Sequence, residues 1–547
     1  MILGDLFDHI DTLLDKNAPA MIEEGPQGTL RIVTANERKR WSNNLARAML
    51  NLGAEPGDKV AIYTRNRFEY PLATIAAIKA RLVHVNVNYR YRDDELLFVI
   101  DNSDAKVVIY EADYADNVAR IRHRSTKVRA FIEIGDTPQT INRWASSFND
   151  LINQGGGEPL GIVRSPEDLF FVYTGGTTGL PKGVMWELYQ LWNMIGYDYS
   201  RPDLNVVPQA PAEVNPPPAG GSNKTLIIVP FMHGSGIYAA LNASGYGNTL
   251  IILRALGFDA DLTLRAIDKY GVTAMTIAGD VFAKPMIRAI EANPGRYKLD
   301  CFKALTSSAM TFSAENKRKF LEYCPHLIIA DIVGSSETPR TAMSVVSKQS
   351  DVQKACESLQ LFPAARVFTE DFAEVLPGNG GKGFLAVSGT LPLGYYKDAK
   401  KTAETFFLLD GVRYSRPGDW VEVLEDGKVK FLGRGNVSIN TGGEKVYPDE
   451  VESVIKSYPG IEDCLVVGVP DAHWGQAITV VVECSTGCLI DPEQIRNHVR
   501  TRIADYKVPK YVLFVEKLYR SPSGKADYPA TQKFALGAVS EKNASAI

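Results

Sequence analysis

An excess of positive charge is missing from this chain. Its 547 residues carry 60 Lys and Arg against 64 Asp and Glu, a formal net charge of -4. No nucleic-acid partner is expected, because a basic footprint that could neutralise phosphates is absent. Paired cysteines are missing too. The six cysteines, Cys301, Cys324, Cys356, Cys464, Cys484 and Cys488, are scattered with no Cys-x-x-Cys pair, and no His/Cys cluster stands near Cys484 and Cys488. They read as reduced structural thiols of a cytosolic chain. No apolar run of about 18 residues occurs, so no membrane span is expected. The start, "MILGDLFDHIDTLLDK", is amphipathic and acidic and lacks the basic region of a signal peptide. The final "ASAI" is not the "SKL" peroxisomal address. The expected location is cytoplasmic.

What is present is a globular composition, 45% hydrophobic and 23% charged, in a chain too long for one core. Short β-branched runs alternate with helical stretches. "KVAIYT" (59–64) precedes "YPLATIAAIKA" (70–80), and "AKVVIY" (105–110) precedes "ADYADNVARI" (112–121). Further apolar runs are "TLIIVP" (225–230), "TLIILR" (249–254) and "HLIIAD" (326–331). This alternation predicts an α/β architecture with buried, mostly parallel strands. From about residue 380 the texture changes. "GFLAVSG", "WVEVLEDGKVKFLG" and "VLFVEKL" predict short antiparallel pieces, with Asp426-Gly427 as a hairpin turn. "VYPDEVESVIKSY" predicts a helix, "DCLVVGVPD" and "ITVVVEC" strands, and "DPEQIRNHVRTRI" a helix capped by Asp491 with Pro492 in its first turn. The Pro/Gly-rich stretch 201–223 predicts a surface loop.

The segment "FFVYTGGTTGLPKGVMW" (170–186) concentrates small hydroxyl residues and glycines beside one lysine. Glycines let backbone N–H groups converge on an anion, and the Thr174, Thr177 and Thr178 hydroxyls add donors. Lys182 supplies a mobile positive charge, so the fitting ligand is a polyphosphate. A Walker A loop is excluded, because Lys182 is followed by Gly183 and not Ser or Thr. The segment reads as strand, loop, and a helix starting near Val184. Taken alone, an ordinary Gly/Thr-rich turn fits it equally well. "GNGGKG" (378–383) matches GxGxxG but precedes a strand, so a dinucleotide site is rejected.

The company of this segment decides its meaning. It resembles the phosphate loop of the adenylate-forming superfamily, which includes acyl-CoA synthetases, peptide-synthetase adenylation domains and firefly-type luciferases. Six further blocks follow in the family's order. They are "PFMHGSG" (230–236), "LTSSAM" (305–310), "DIVGSSET" (331–338), "YSRPGDW" (414–420), "FLGRGNVSINTGGEKVYPDEVE" (431–452) and "RSPSGKADY" (520–528). The resemblance implies a large N-terminal domain of stacked mixed sheets with helices, and a small C-terminal α+β lid domain. The implied boundaries are 1–433 for the AMP-binding domain, 434–436 for a hinge and 437–547 for a mobile C-terminal domain.

The resemblance also implies roles. Thr174, Gly175, Gly176, Thr177, Thr178, Gly179 and Lys182 would hold the ATP phosphates, with Ser336 at the α-phosphate. Glu337, helped by Thr174, would hold Mg²⁺. Ser307, Ser308 and Asp331 would line the nucleotide site, and Asp419 and Arg434 would contact the ribose. Lys525 would bridge the substrate carboxylate and the α-phosphate, and His233 would sit at the carboxylate end of the acyl pocket. Gly442, Gly443 and Glu444 would line the path of CoA after the small domain swings about the hinge. ATP, Mg²⁺ and CoA are the implied cofactors and co-substrates. A small-molecule carboxylic acid is the implied partner, with a homodimer as the candidate assembly.

Three positions depart from the pattern. Val333 replaces the aromatic residue that commonly stacks on adenine, Ser307 and Ser308 replace glycines, and Asn436 stands where Asp or Lys is usual. The blocks look most like those of bacterial ligases acting on fatty or steroid side-chain acids, and Met232, His233, Gly279, Asp280 and Ser308 are the candidate pocket residues. Gly234 and Gly236 would leave room for a wide acyl group, unless they serve backbone packing. The expected reaction is carboxylic acid, ATP and CoA to acyl-CoA, AMP and pyrophosphate through an acyl-adenylate. Competing readings are an adenylating enzyme that loads a carrier protein, an aryl or medium-chain ligase, a luciferase-like oxygenase, and an inactive nucleotide-binding regulator.

Overall fold

A computed structural model describes the chain except for residues 1, 92, 136–141, 175–180, 198–206, 215–222, 311, 379–380, 435–438, 442–443, 472–474, 504, 521–525 and 545–547. Internal contacts divide the chain into two units. The first gathers Met1–Gly176, Leu180–Cys356 and Val387–Ser415, and the second gathers Glu357–Ala386 and Arg416–Ile547.

Two large sheets build the first unit. Within this unit, one runs through Ala342–Val346, Ile328–Val333, Ala304–Ser308, Ala274–Ile277, Lys224–Ile227, Thr249–Leu253, Pro19–Glu24 and Leu30–Thr34. Its inner strands pair parallel, and only the outer pairings are antiparallel. The other runs through Gly394–Tyr395, Lys182–Glu187, Leu169–Thr174, Val83–Asn86, Lys59–Tyr63, Ala105–Glu111, Ala130–Ile134 and Ser146–Ser147. It too is parallel except at the Lys182–Glu187 and Gly394–Tyr395 end.

Alternation along each strand explains the layering. Val60 and Ile62 face a core shared with Met21, Leu250 and Ile252 of the first sheet and with the helices Ala35–Asn51 and Glu69–Lys79. Ala61 and Tyr63 face the opposite side, under the helices Asp93–Asn102 and Ala115–Ile121. Ile251, Met275, Leu305 and Ile329 face a third core under Ala260–Tyr270, Asp280–Ala292 and Ala314–Tyr323. Both sheets are covered on both faces. This is why their strands read as near-continuous apolar runs and not as polar-apolar alternation. Each fully buried large apolar side chain contributes roughly 1.5–3 kcal/mol.

One expectation fails at the central motif. No helix starts near Val184; Lys182–Glu187 is a strand, antiparallel to Leu169–Thr174, and the helix Leu188–Ile195 follows it. Period two governs the stretch: Val184 and Trp186 enter one core while Met185 packs on the other. Gly183 permits the pairing, because a Cβ there would meet the Tyr173 ring at 2.7 Å.

In the second unit, Asp419–Val423 and Val429–Arg434 form the expected hairpin, with Gly427 turning at φ 78°. The C-terminal part holds the helix Pro448–Lys456, the long hairpin Ile461–Asp471/Gly475–Cys484, the helix Pro492–Arg500 and the helix Tyr528–Ala544. Asp491 caps the helix Pro492–Arg500, accepting from the Glu493 amide at 2.8 Å. The strand Tyr511–Val515 pairs parallel to Gly475–Cys484, where the sequence predicts an antiparallel piece. The helix between the two strands supplies the long crossover that parallel pairing requires.

Candidate active site

The phosphate-loop motif is closed at its base by a register pair, Thr174 opposite Lys182. Gly175, Gly176, Thr177, Thr178 and Gly179 lie outside the described residues. Lys182 therefore projects from the start of a strand, and its charge acts without a helix dipole behind it. Its Nζ stands 3.9 Å from Asp398 Oδ2 and 6.0 Å from the centre of the Tyr395 ring.

Asn86 fixes the approach of this hairpin to the "PFMHGSG" segment. Its Nδ2 donates to the Tyr173 carbonyl at 2.8 Å and the Met232 carbonyl at 2.6 Å, and its Oδ1 accepts from the Tyr173 amide. Asn66 does the same one step away, donating to the Val229 carbonyl and accepting from the Phe231 amide. His233 stands within that segment, immediately before the helix Gly234–Gly245. A Cβ on Gly234 would lie 3.7 Å from Ser336 Oγ, so this helix start and the "GSSET" loop are neighbours. Gly236 gives the acyl group no room. Its Cβ would meet the Pro230 carbonyl oxygen at 2.4 Å, so it serves close backbone packing.

The loop after Ile328–Val333 is tightly bonded. The Ser335 amide donates to the Thr338 carbonyl, and Ser335 Oγ accepts from the Glu337 and Thr338 amides at 3.2 Å each. Gly334 is obligatory, because a Cβ there would strike the Pro339 carbonyl oxygen at 2.3 Å. Trp186 Nε1 donates to the Ser336 carbonyl at 3.0 Å, tying this loop to the phosphate hairpin. Tyr238 OH reaches the same carbonyl at 3.4 Å, and burial with the Glu337 charge nearby pushes its phenol well above the ordinary range. Glu337 is buried, 8% exposed, and its Oε1 accepts from Tyr395 OH at 2.5 Å.

Ser307 Oγ accepts from the Gly279 amide at 3.2 Å, and Asp280 Oδ1 accepts from the Ser313 amide and hydroxyl. Ser307 and Asp331 are cross-strand partners, as are Ser308 and Ile332. The Asp331 carboxylate accepts from Lys317 Nζ at 2.7 Å, and burial raises its pKa against that partner's pull. The chain leaves the strand Ala304–Ser308 through Ala309 at φ 69°, a left-handed conformation costly for a residue with a Cβ.

The remaining expected residues lie in the second unit. Asp419 is buried at 3% exposure and pairs with Arg434 at the base of its hairpin. Glu444 opens the strand Glu444–Val446. Gly442, Gly443, Lys525 and the hinge residue Asn436 lie outside the described residues. Among the described residues no group of three His, Cys, Asp or Glu could hold a metal, and no helix is long and apolar enough to cross a membrane.

Residues 14–396 match the model of the AMP-binding enzymes, and residues 450–525 match the AMP-binding enzyme C-terminal domain. The chain belongs to the AMP-binding enzyme family. It is 38% identical to the medium/long-chain-fatty-acid–CoA/3-oxocholest-4-en-26-oate–CoA ligase of Mycobacterium tuberculosis, over 96% of this chain and 94% of that protein. It is 37% identical to the 3-oxocholest-4-en-26-oate–CoA ligase of Rhodococcus rhodochrous, over 96% of this chain and 94% of that protein. Its fold is that of the anthranilate CoA ligase AuaEII in complex with anthranoyl-AMP. That match has a TM-score of 0.83 at 18% identity, over 99% of this chain and 98% of that one. This AMP-binding enzyme is a ligase of the acyl-CoA-forming class, using ATP and CoA with a carboxylic acid.

Sequence reading missed several residues that shape this candidate site. Tyr395 and Asp398 sit in "GYYKDA", a stretch without small-residue or charge clustering, and nothing local signals their contact with Glu337 and Lys182. Trp186 stands in the motif only as one more apolar residue, and Asn86 stands in no motif. A polar Asn inside the buried strand Val83–Asn86 was a usable signal, since buried polar groups are retained where they are bonded.

Proposed function

We propose that the enzyme activates a long-chain or bulky carboxylic acid, of the steroid side-chain type, as an acyl-adenylate and then transfers the acyl group to CoA. The relatives named for fatty and 3-oxocholest-4-en-26-oate acids, alike over nearly the whole chain, support the substrate class. The observation that carries the mechanism is the double tie of the Glu337 loop to the phosphate hairpin, through Trp186 and Tyr395.

The substrate carboxylate attacks the α-phosphorus and pyrophosphate leaves. Two anions must meet, so catalysis is positioning and charge neutralisation. The 175–179 loop with Thr174 and Lys182 would hold the β- and γ-phosphates, and Ser336 the α-phosphate. Ser307, Ser308 and Asp331 would line the base and ribose side, with Asp419 and Arg434 on the ribose hydroxyls. Val333 leaves an aliphatic face toward adenine. His233 and Met232 would border the carboxylate end of the acyl pocket, with Gly279 and Asp280 further along it. Lys525 would bridge the carboxylate and the α-phosphate.

A single buried carboxylate with one engaged oxygen suits Mg²⁺, which takes few protein ligands when phosphates supply the rest. Glu337, with Thr174, would hold it, and when bound it would neutralise phosphate charge. In the second step the thiol of CoA attacks the acyl carbonyl and AMP leaves. Rotation about 434–436 would withdraw Lys525 and present Gly442, Gly443 and Glu444 to the pantetheine arm. The contact-defined unit starts earlier in the chain, but a hinge concerns which bonds rotate, not which residues touch. Six free thiols fit a cytoplasmic setting.

The test is mass-spectrometric product detection with ATP and Mg²⁺, with and without CoA. The acid panel runs from acetate through C8 and C16 fatty acids and arylpropionates to steroid C24 and C27 acids. A CoA thioester from the long or polycyclic acids is expected. Acyl-adenylate without thioester for every acid would move the acceptor to a carrier protein.

A further inference from the structure

The segment Gly394–Tyr395 holds no ligand in the readings above, yet it reaches two of the charged groups they use. It adds an edge strand to the phosphate hairpin, with Tyr395 opposite Val184 and Gly394 opposite Met185. From there the phenol of Tyr395 donates to Glu337 Oε1 at 2.5 Å. Both side chains are buried, at 7% and 8% exposure.

We infer that Tyr395 is a positioning residue that locks the Glu337 carboxylate, so that its second oxygen alone is presented to the nucleotide-bound cation. This rests on the reading that Glu337 holds that cation. The loop's own bonds fix only its backbone: Ser335 Oγ takes the Glu337 amide, and Trp186 takes the Ser336 carbonyl. Neither restrains the carboxylate about its terminal torsions, which are broad. Tyr395 OH does, through a short charge-assisted O–H···O⁻ bond. Among the described residues, Glu337 Oε2 has no hydrogen-bond partner.

Tyr395 is itself held. Its amide donates to Thr402 Oγ1 at 2.9 Å, its ring packs 6.1 Å from Phe406, and the Lys182 ammonium stands 6.0 Å from its ring centre. The phenol cannot change rotamer without giving up this buried packing. One side chain therefore bonds the carboxylate and stands beside the phosphate-loop lysine.

The test compares wild type, Tyr395→Phe and Glu337→Gln as full-length protein. Mn²⁺ is titrated into the protein–ATP complex without acid or CoA and followed by EPR, and AMP affinity is measured in EDTA. Partners that orient a metal ligand typically set about 10- to 100-fold in affinity. Tyr395→Phe is expected to weaken Mn²⁺ by about tenfold or more with AMP affinity unchanged, since the ring and its packing remain. Glu337→Gln should weaken Mn²⁺ at least as much. If Glu337→Gln weakens Mn²⁺ and Tyr395→Phe does not, the positioning role is overturned while the Glu337 reading stands. If Glu337→Gln leaves Mn²⁺ unchanged, the Glu337 reading fails and takes this inference with it. Parallel loss of Mn²⁺ and AMP binding in Tyr395→Phe would make the tyrosine merely structural and overturn the inference.

Discussion

The two units hold their candidate site residues in different ways. In the first, parallel strands end in loops, and the loops are cross-tied. Trp186, Tyr395 and Asn86 bond residues far apart in sequence into one edge. In the second, Asp419 and Arg434 sit on one antiparallel hairpin and are placed by local register. The first unit is built to hold a fixed constellation. The second carries its candidate residues on short local pieces. Buried titratable groups differ as well. His84 in the first unit is pushed down to about 3 by burial. Glu452 in the second is pushed up to about 7, again by burial.

The largest expected effect separates the half-reactions. Lys525→Ala should lower acid-dependent ATP–pyrophosphate exchange by about 100-fold or more and spare thioester formation from a supplied acyl-adenylate. Gly443→Leu should spare exchange and block thioester formation. Equal loss of both half-reactions in each variant would remove the two-conformation account.

Next come the ties within the first unit. Trp186→Phe deletes the donor to the Ser336 carbonyl while keeping an aromatic ring. A bond of this kind contributes about 1 kcal/mol, so kcat/KM for adenylation should fall roughly fivefold to tenfold, with the exchange assay as readout. A fall confined to the thioester step would contradict the cross-tied picture. Gly334→Ala forces a Cβ onto the Pro339 carbonyl and should destabilise the unit by about 1–3 kcal/mol. Denaturant midpoints check this.

The last prediction tests the buried groups. Unfolded His84 takes a proton below its ordinary 6.5, while the folded ring does not until about 3, so its stability is lost as pH falls through that window. For Glu452 the sign reverses. The folded carboxyl keeps its proton above the ordinary 4.5, so its stability is present below that value and lost as pH rises through about 7. Relative to wild type, Glu452→Gln should therefore gain stability from pH 4.5 to 7, and His84→Gln should gain it as pH falls below 6.5. Flat differences across both windows would show that neither group titrates in this way.

Much of this was legible in the residues. Runs such as "KVAIYT" and "TLIILR" declare buried strands because both their faces are apolar. Asp491 with Pro492 declares a helix start because capping chemistry is local. The strand after Lys182 was not legible: "VMW" spans too few residues to separate period two from period 3.6. The parallel pairing of Tyr511–Val515 depends on a crossover and not on the strand's own composition. The Tyr395–Glu337 bond joins residues 58 positions apart, and no local pattern encodes it. Motif order revealed which groups are charged and where, and the fold revealed what holds them.

The most direct test of the central claim uses a steroid or long-chain acid labelled with ¹⁸O in its carboxylate, turned over with ATP and CoA. If the acid attacks the α-phosphorus, one ¹⁸O appears in AMP for each acyl-CoA formed. Label in inorganic phosphate, or unlabelled AMP beside acyl-CoA, would contradict an acyl-adenylate.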